Sequence, residues 1–144
     1  VLPAWNLWKG SGNHKGQKVE ADTKYFITGG QSLHLVNTKG NVFGLTQRAK
    51  DLKPKTRYRL SFYLRTKNVE HKRQSLFSGV YVTKGKNVHY PSGYISGTNE
   101  WTRMAYEFTT PEASKLNRKA PFGISLRVPG EIWVDEFRLE EVAP

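Results

Sequence analysis

Residues 58–67 read YRLSFYLRTK. Tyr58, Leu60, Phe62 and Leu64 fall on alternate positions, the pattern of a β-strand with one buried face. The opposite face then carries Arg59, Ser61, Tyr63 and Arg65. An aromatic ring set between guanidinium groups is an unusual solvent face, and it marks this strand as a candidate for binding as well as for the core.

Period-2 alternation recurs on both sides of this stretch, and helical periodicity is scarce. Strands are expected at Trp5–Lys9, Lys18–Ala21, Ser32–Asn37, Val42–Arg48, Thr56–Lys67, Leu76–Thr83, Thr102–Thr109, Phe122–Val128 and Ile132–Glu141. Between them lie Gly29-Gly30, Lys39-Gly40, Lys53-Pro54, Lys84-Gly85, Pro91-Ser92-Gly93 and Pro129-Gly130, which are turn chemistry. Many short strands with regular Gly/Pro punctuation indicate an all-β sandwich or barrel. The polar stretch from Pro111 to Pro121 is longer than a tight turn and leaves room for one helical turn. At 144 residues the chain suits one domain with one core.

Several outward faces repeat the character of the first. Leu33 and Leu35 point in and His34 out. Val80 and Val82 point in, which turns Gly79, Tyr81 and Thr83 out. Phe122, Ile124, Leu126 and Val128 point in, with Gly123, Ser125 and Arg127 out. Small residues leave room for a ligand, and Arg and Tyr hold it. If these strands share a sheet, one face of the sandwich is a groove with a basic, aromatic floor. Tyr90, Tyr94, Trp5 and Trp8, in loop-like or terminal segments, are candidates for its walls, whereas Trp101 and Trp133 read as packing residues.

The formal net charge is +11 and the pI about 10.0, a field that attracts polyanions. There is no cysteine, which excludes disulfides, Cys-ligated zinc and thiol catalysis. No apolar run approaches the ~20 residues that span a bilayer, so no membrane partner is expected. The first residues lack signal-peptide pattern, and the chain reads as a module cut from a longer protein. The four histidines are scattered, with no metal-binding spacing. Neither a Gly-x-Ser-x-Gly elbow nor a phosphate-cradling glycine loop is present. Most acids fall at strand ends or in loops; Glu107 and Asp135 are the exceptions, and Glu107 reads as a surface strand residue. No carboxylate pair of glycosidase type is evident. A binding domain is expected rather than an enzyme.

Four segments, in order, resemble a known family. They are Gly29-Gly30-Gln31-Ser32-Leu33-His34-Leu35; Leu52 through Arg65, with Lys55 where glycine is usual; Trp101 through Phe108-Thr109-Thr110-Pro111; and Ile132-Trp133-Val134-Asp135-Glu136-Phe137-Arg138-Leu139. Their order and spacing, from about Lys18 to Val142, are similar to carbohydrate-binding modules of the family 4/9/16/22 type. The resemblance implies a galactose-binding-like β-jelly roll, a sandwich of two antiparallel sheets. It further implies a non-catalytic accessory module, covalently linked to a secreted polysaccharide-degrading enzyme, with the sugar lying across a concave sheet. The position of Tyr63 matches a recurrent ring contact of that family. Many relatives carry a structural calcium; Asp135 matches the family aspartate, and Glu20 or Asp22 could complete the site, although calcium needs six to eight oxygen ligands.

Stacking on Tyr and Trp suits the apolar faces of sugar rings, and the planar fork of Arg suits carboxylate or sulfate. The expected ligand is therefore a polysaccharide, an anionic (uronate or sulfated) one, held by Arg59, Tyr63, Arg65, Tyr81, Arg127 and His34, with Tyr90 and Tyr94 at the walls. A monomer is expected. Two other readings stay open. A lyase or glycosidase could use Tyr, His and Arg on the same fold. A single-strand nucleic-acid platform also combines cations with aromatics, but no motif of such a fold accompanies them.

Overall fold

The computed structural model describes residues 5–72, 75–83, 89–90 and 95–143. Its strands are β1 (Asn6–Lys9), β2 (Lys18–Asp22), β3 (Ser32–Asn37), β4 (Phe43–Arg48), β5 (Arg57–Val69), β6 (Leu76–Val80), β7 (His89–Tyr90), β8 (Gly97–Thr109), β9 (Pro121–Leu126) and β10 (Gly130–Glu141). They form two five-stranded sheets, β1-β4-β9-β6-β7 and β2-β3-β10-β5-β8, with every pairing antiparallel. This is the expected two-sheet jelly roll.

The opening stretch lies in an inner strand of the second sheet, next to its edge. β5 lies between β10 and β8, and Tyr58, Leu60, Phe62 and Leu64 are 7%, 0%, 1% and 1% exposed. They meet the inward sides of β4, β6 and β9 in two joined clusters. One is built on Leu35, Phe43, Leu45, Phe62, Leu126 and Ile132; the other on Leu52, Leu60, Val80, Phe108, Leu116 and Phe122. Truncation of Phe62, buried and stacked on Phe137 at 4.9 Å, removes contacts on both sheets.

Three details depart from the expected strands. β8 begins at Gly97, five residues before the expected start, because edge pairing is a backbone matter that the polar run Gly97–Thr102 does not oppose. A short β7 pairs with β6. Tyr81, Val82 and Thr83 continue beyond β6: the Tyr81 N–H still donates to the Pro121 carbonyl, and Thr83 bridges to Leu116. The 111–121 connection does contain one helical turn, closed by the Leu116 N–H donating to the Glu112 carbonyl.

β10 carries a bulge. Asp135 pairs with Tyr63 and Arg138 with Ser61, so Glu136 and Phe137 together oppose Phe62. Glu136 takes a positive φ of 55°. The extra residue reverses the strand's phase: Ile132 and Val134 face inward before it, Phe137 and Leu139 after it.

Candidate functional site

The outward residues of β5 and β3 lie on the outer face of the second sheet, whereas Tyr81 and Arg127 belong to the side of β6 and β9 in the first. The groove expected from a shared sheet therefore does not form as one surface: Arg59, Tyr63, Arg65 and His34 are on the opposite side of the sandwich from Tyr81 and Arg127. Alternation assigns a residue to a face of its strand, but sheet membership is set by pairing between distant segments.

On the second sheet the cations already have partners. The Arg65 guanidinium sits 3.8 Å from the Tyr25 ring centre and 4.6 Å from that of Trp133. Trp133 and His34 stack at 4.4 Å with 4° between planes. Tyr25 meets Trp133 edge-on at 5.4 Å, Arg65 packs against both rings, and the Arg65 side chain is only 15% exposed. His34 Nε2 lies 3.1 Å from Glu131, and its Nδ1 lies 3.7 Å from Glu20. Arg59 donates two hydrogen bonds to Glu107, at 2.8 and 3.2 Å, and Arg57 pairs with the same carboxylate. The Arg59 hydrogen bond, supported by Arg57 against the resistance of burial, holds Glu107 below the usual carboxylate range. Tyr63 lines a polar recess with Ser61, Arg103, Arg138, Glu136 and Glu140, beside the bulge.

Two aspartates tie the 23–31 connection over this face. Asp22 Oδ1 accepts the N–H of Lys24 at 2.6 Å and of Tyr25 at 3.3 Å, while its Oδ2 accepts the indole N–H of Trp133 at 2.6 Å. Asp135 Oδ2 accepts the N–H of Ile27 at 2.7 Å and of Thr28 at 3.0 Å, and its Oδ1 accepts the N–H of Glu136 at 2.8 Å. Burial resists ionisation of Asp22, but the Trp133 donor, the two backbone donors and the nearby His34 outweigh it and hold its pKa below 3.8. These contacts do not fit the expected calcium site. Both Asp135 oxygens face N–H donors, Glu20 turns to His34, and among the described residues no group of three His, Asp or Glu could hold a metal.

The first sheet's outer face is different. The register sets Trp8 beside Gly44, Gly44 beside Ser125, and Thr46 beside Gly123, which faces Gly79 across β6. The middle of the sheet is thus lined by buried Gly79, Gly123 and Ser125 and half-buried Thr46, with Trp8 on one side and Tyr81 on the other, and the free volume among them is only about 10 Å³. A Cβ on Gly123 would lie 1.9 Å from the Leu45 carbonyl oxygen, and one on Gly44 2.3 Å from that of Ile124. Glycine is required there for β4 and β9 to approach as they do, and the result is a shallow trough between two rings. Burial raises the Tyr81 hydroxyl pKa above 10.0, and the Arg127 charge acts against the rise, so the two side chains are within electrostatic reach. Trp8, a candidate wall residue in the expected first strand, lies in β1 and lines the trough. Gly44 and Thr46 were missed, although the inward pair Phe43 and Leu45 marks them as outward. Tyr90 lies in β7 opposite Ser78, and Tyr94 lies outside the described residues.

No family model matches the chain. Over 89 residues it is 33% identical to the uncharacterized HTH-type transcriptional regulator YbfP of Bacillus subtilis; the match takes in 60% of this chain and 29% of the regulator, so the chain spans under a third of that relative. Among solved structures, a family 16 carbohydrate-binding module superposes with a TM-score of 0.60 at 19% identity, covering 88% of each chain. The CBM22-2 xylan-binding domain of Paenibacillus barcinonensis Xyn10C gives 0.67 at 11% identity, over 99% of this chain and 94% of its own. The fold is the jelly roll of these carbohydrate-binding modules. A cyclase from Fischerella sp. TAU shares it as well, with a TM-score of 0.67 at 15% identity, over 97% of this chain and 85% of that one. A fold hosting both binding modules and an enzyme leaves function to the site.

Proposed function

We propose that this chain is a non-catalytic carbohydrate-binding module whose trough on the first sheet takes an acidic polysaccharide. The observation that carries the reading is a shallow trough with a backbone-lined floor, held between Trp8 and Tyr81. Flat rings beside a glycine floor suit the apolar face of a sugar ring lying close to the sheet. Charge supports the acidic class. The strands of the first sheet contain Lys9 and Arg48 and no acidic residue, whereas those of the second contain seven Lys/Arg and nine Asp/Glu. The two sheets cancel, and the whole net charge of +11 lies in the connections. Six of those cations, Lys50, Lys53, Lys55, Lys115, Arg118 and Lys119, sit at one end, where Leu52 N–H bonds the Arg118 carbonyl and Ala49 N–H that of Ala120. Arg48 extends the floor toward that end, donating to the Lys119 carbonyl. An acidic chain leaving the trough there meets cations. A trough whose strands lack carboxylates offers no acid/base pair for glycoside hydrolysis.

Binding would hold a larger protein on its polymer. In a secreted protein the linked part is a polysaccharide-degrading domain. The likeness to YbfP favours a second setting, in which the same trough serves as the sugar-sensing part of a regulator. The trough reading is common to both.

Affinity gel electrophoresis against alginate, pectate, carrageenan, agar and xylan tests it. Retardation is expected with the acidic polymers. Trp8→Ala and Tyr81→Ala should each weaken it at least tenfold, about 1.4 kcal/mol, while Tyr63→Ala should not. Retardation by neutral polymers alone removes the acidic class, and release of unsaturated or reducing products removes the non-catalytic reading.

A further inference from the structure

A second recess lies between the sheets, not on an outer face. Its volume is about 320 Å³, at the lower end of the roughly 300–1,000 Å³ of small-ligand sites. Trp5 and Gln47 wall it from the first sheet's side, and Leu33, Val134 and Phe137 from the second's, with Gln31 at the rim. Three independent features mark it as more than a packing defect.

The first is Gln47. β4 directs Phe43, Leu45 and then Gln47 toward the interior, and the first two are 1% and 2% exposed. Gln47 is half-buried and Gln31 exposed, and neither makes a side-chain hydrogen bond among the described residues, so both carboxamides are open to a solute in the recess. Second, the β10 bulge borders the recess and holds Glu136 in the left-handed region, a conformation that costs a non-glycine residue on the order of 1–3 kcal/mol and concentrates at functional sites. Third, the carboxylates at the mouth are already compensated. Asp135 accepts three backbone N–H groups, and Glu136 bonds the Thr28 hydroxyl and Arg138. What the recess offers a ligand is an indole, an apolar wall and two neutral amides that both donate and accept.

We infer that this recess is a second binding site, for a neutral, polyhydroxylated molecule the size of a single sugar. Hydroxyls match carboxamides in both directions, and the Trp5 ring takes the apolar face of such a ring. The site uses none of the trough residues, so it stands or falls separately from the polysaccharide reading.

The side-chain amide resonances of Gln31 and Gln47 in the wild-type protein, titrated with free glucose, galactose, mannose and xylose, provide the test. At least one sugar should shift both, saturably. Gln47→Leu should weaken that sugar at least tenfold while leaving polysaccharide retardation unchanged, and Trp8→Ala should do the reverse. The proposal is overturned if no sugar moves these resonances, if Gln47→Leu binds as tightly as wild type, or if Trp8→Ala abolishes monosaccharide binding. Should Gln47→Leu fail to fold, the wild-type titration alone decides.

Discussion

Arg65 and Arg127 both occupy outward strand-side positions, yet their surroundings give them different work. Arg65 packs against both Tyr25 and Trp133 and pairs with Glu100 at 3.7 Å. The Arg127 charge opposes the rise that burial imposes on the Tyr81 hydroxyl pKa. The same contrast separates Lys55 from the glycine usual in the family it resembles. Lys55 holds a φ of 49°, where a side chain costs roughly 1–2 kcal/mol, while its backbone N–H keeps a bond to the Pro111 carbonyl. Lys55→Gly should therefore raise stability by about 0.5–1 kcal/mol after the entropy of glycine is deducted, read from the urea midpoint at unchanged slope. Gly123→Ala should do the opposite. With its Cβ 1.9 Å from a backbone oxygen, β4 and β9 must move apart, at a cost on the order of 2–4 kcal/mol. A stable Gly123→Ala protein with an intact trough would contradict the close approach described for these strands.

At the scale of elements, the 23–31 connection is a strap held by two aspartates, and its pH response has a definite sign. Asp22 has a folded pKa below 3.8, so it contributes stability above that value, and the contribution fades as pH falls through the lower folded value. Asp22→Asn should lower the melting temperature at pH 6 and lose most of that deficit near pH 3. An equal deficit at both values would mean that the strap does not depend on the charge. Phe62 supplies the comparison for a core element. Phe62→Ala should cost about 3–5 kcal/mol, since it empties a stack that joins β5 to the β10 bulge. The bulge was readable in part. The inward residues change parity between Val134 and Phe137, which a regular strand cannot accommodate, but which residue is extruded depends on the partner strand.

For the molecule as a whole, the decisive quantity is where charge resides. Acids gather on the second sheet, where they neutralise its cations, and the uncompensated positive charge gathers in the connections. Retardation by acidic polymers should fall steeply with salt, because screening shortens the reach of exposed charges to about 8 Å at physiological ionic strength. Lys50→Glu combined with Lys119→Glu should weaken acidic-polymer binding tenfold or more at low salt and leave the melting temperature within a few degrees. Equal affinity at low and high salt would show that the trough works without the basic end.

Alternation in residues 58–64, and in the strands that share its pattern, determined which side of each strand is core, because side-chain direction has a strict period of two. Gly/Pro punctuation determined that the chain is a sequence of short strands. Neither could determine which strands lie together. β5 pairs with β8 and β10, segments remote in sequence, and only that pairing sets Glu107 beside Arg59 and Trp133 beside Arg65. It also leaves Tyr81 and Arg127 with Trp8 over a glycine floor on the other side. The sequence named the ring between two cations; tertiary pairing decided that Arg59 is paired with Glu107, that Arg65 is held against Tyr25 and Trp133, and that the glycine-floored trough lies on the opposite sheet.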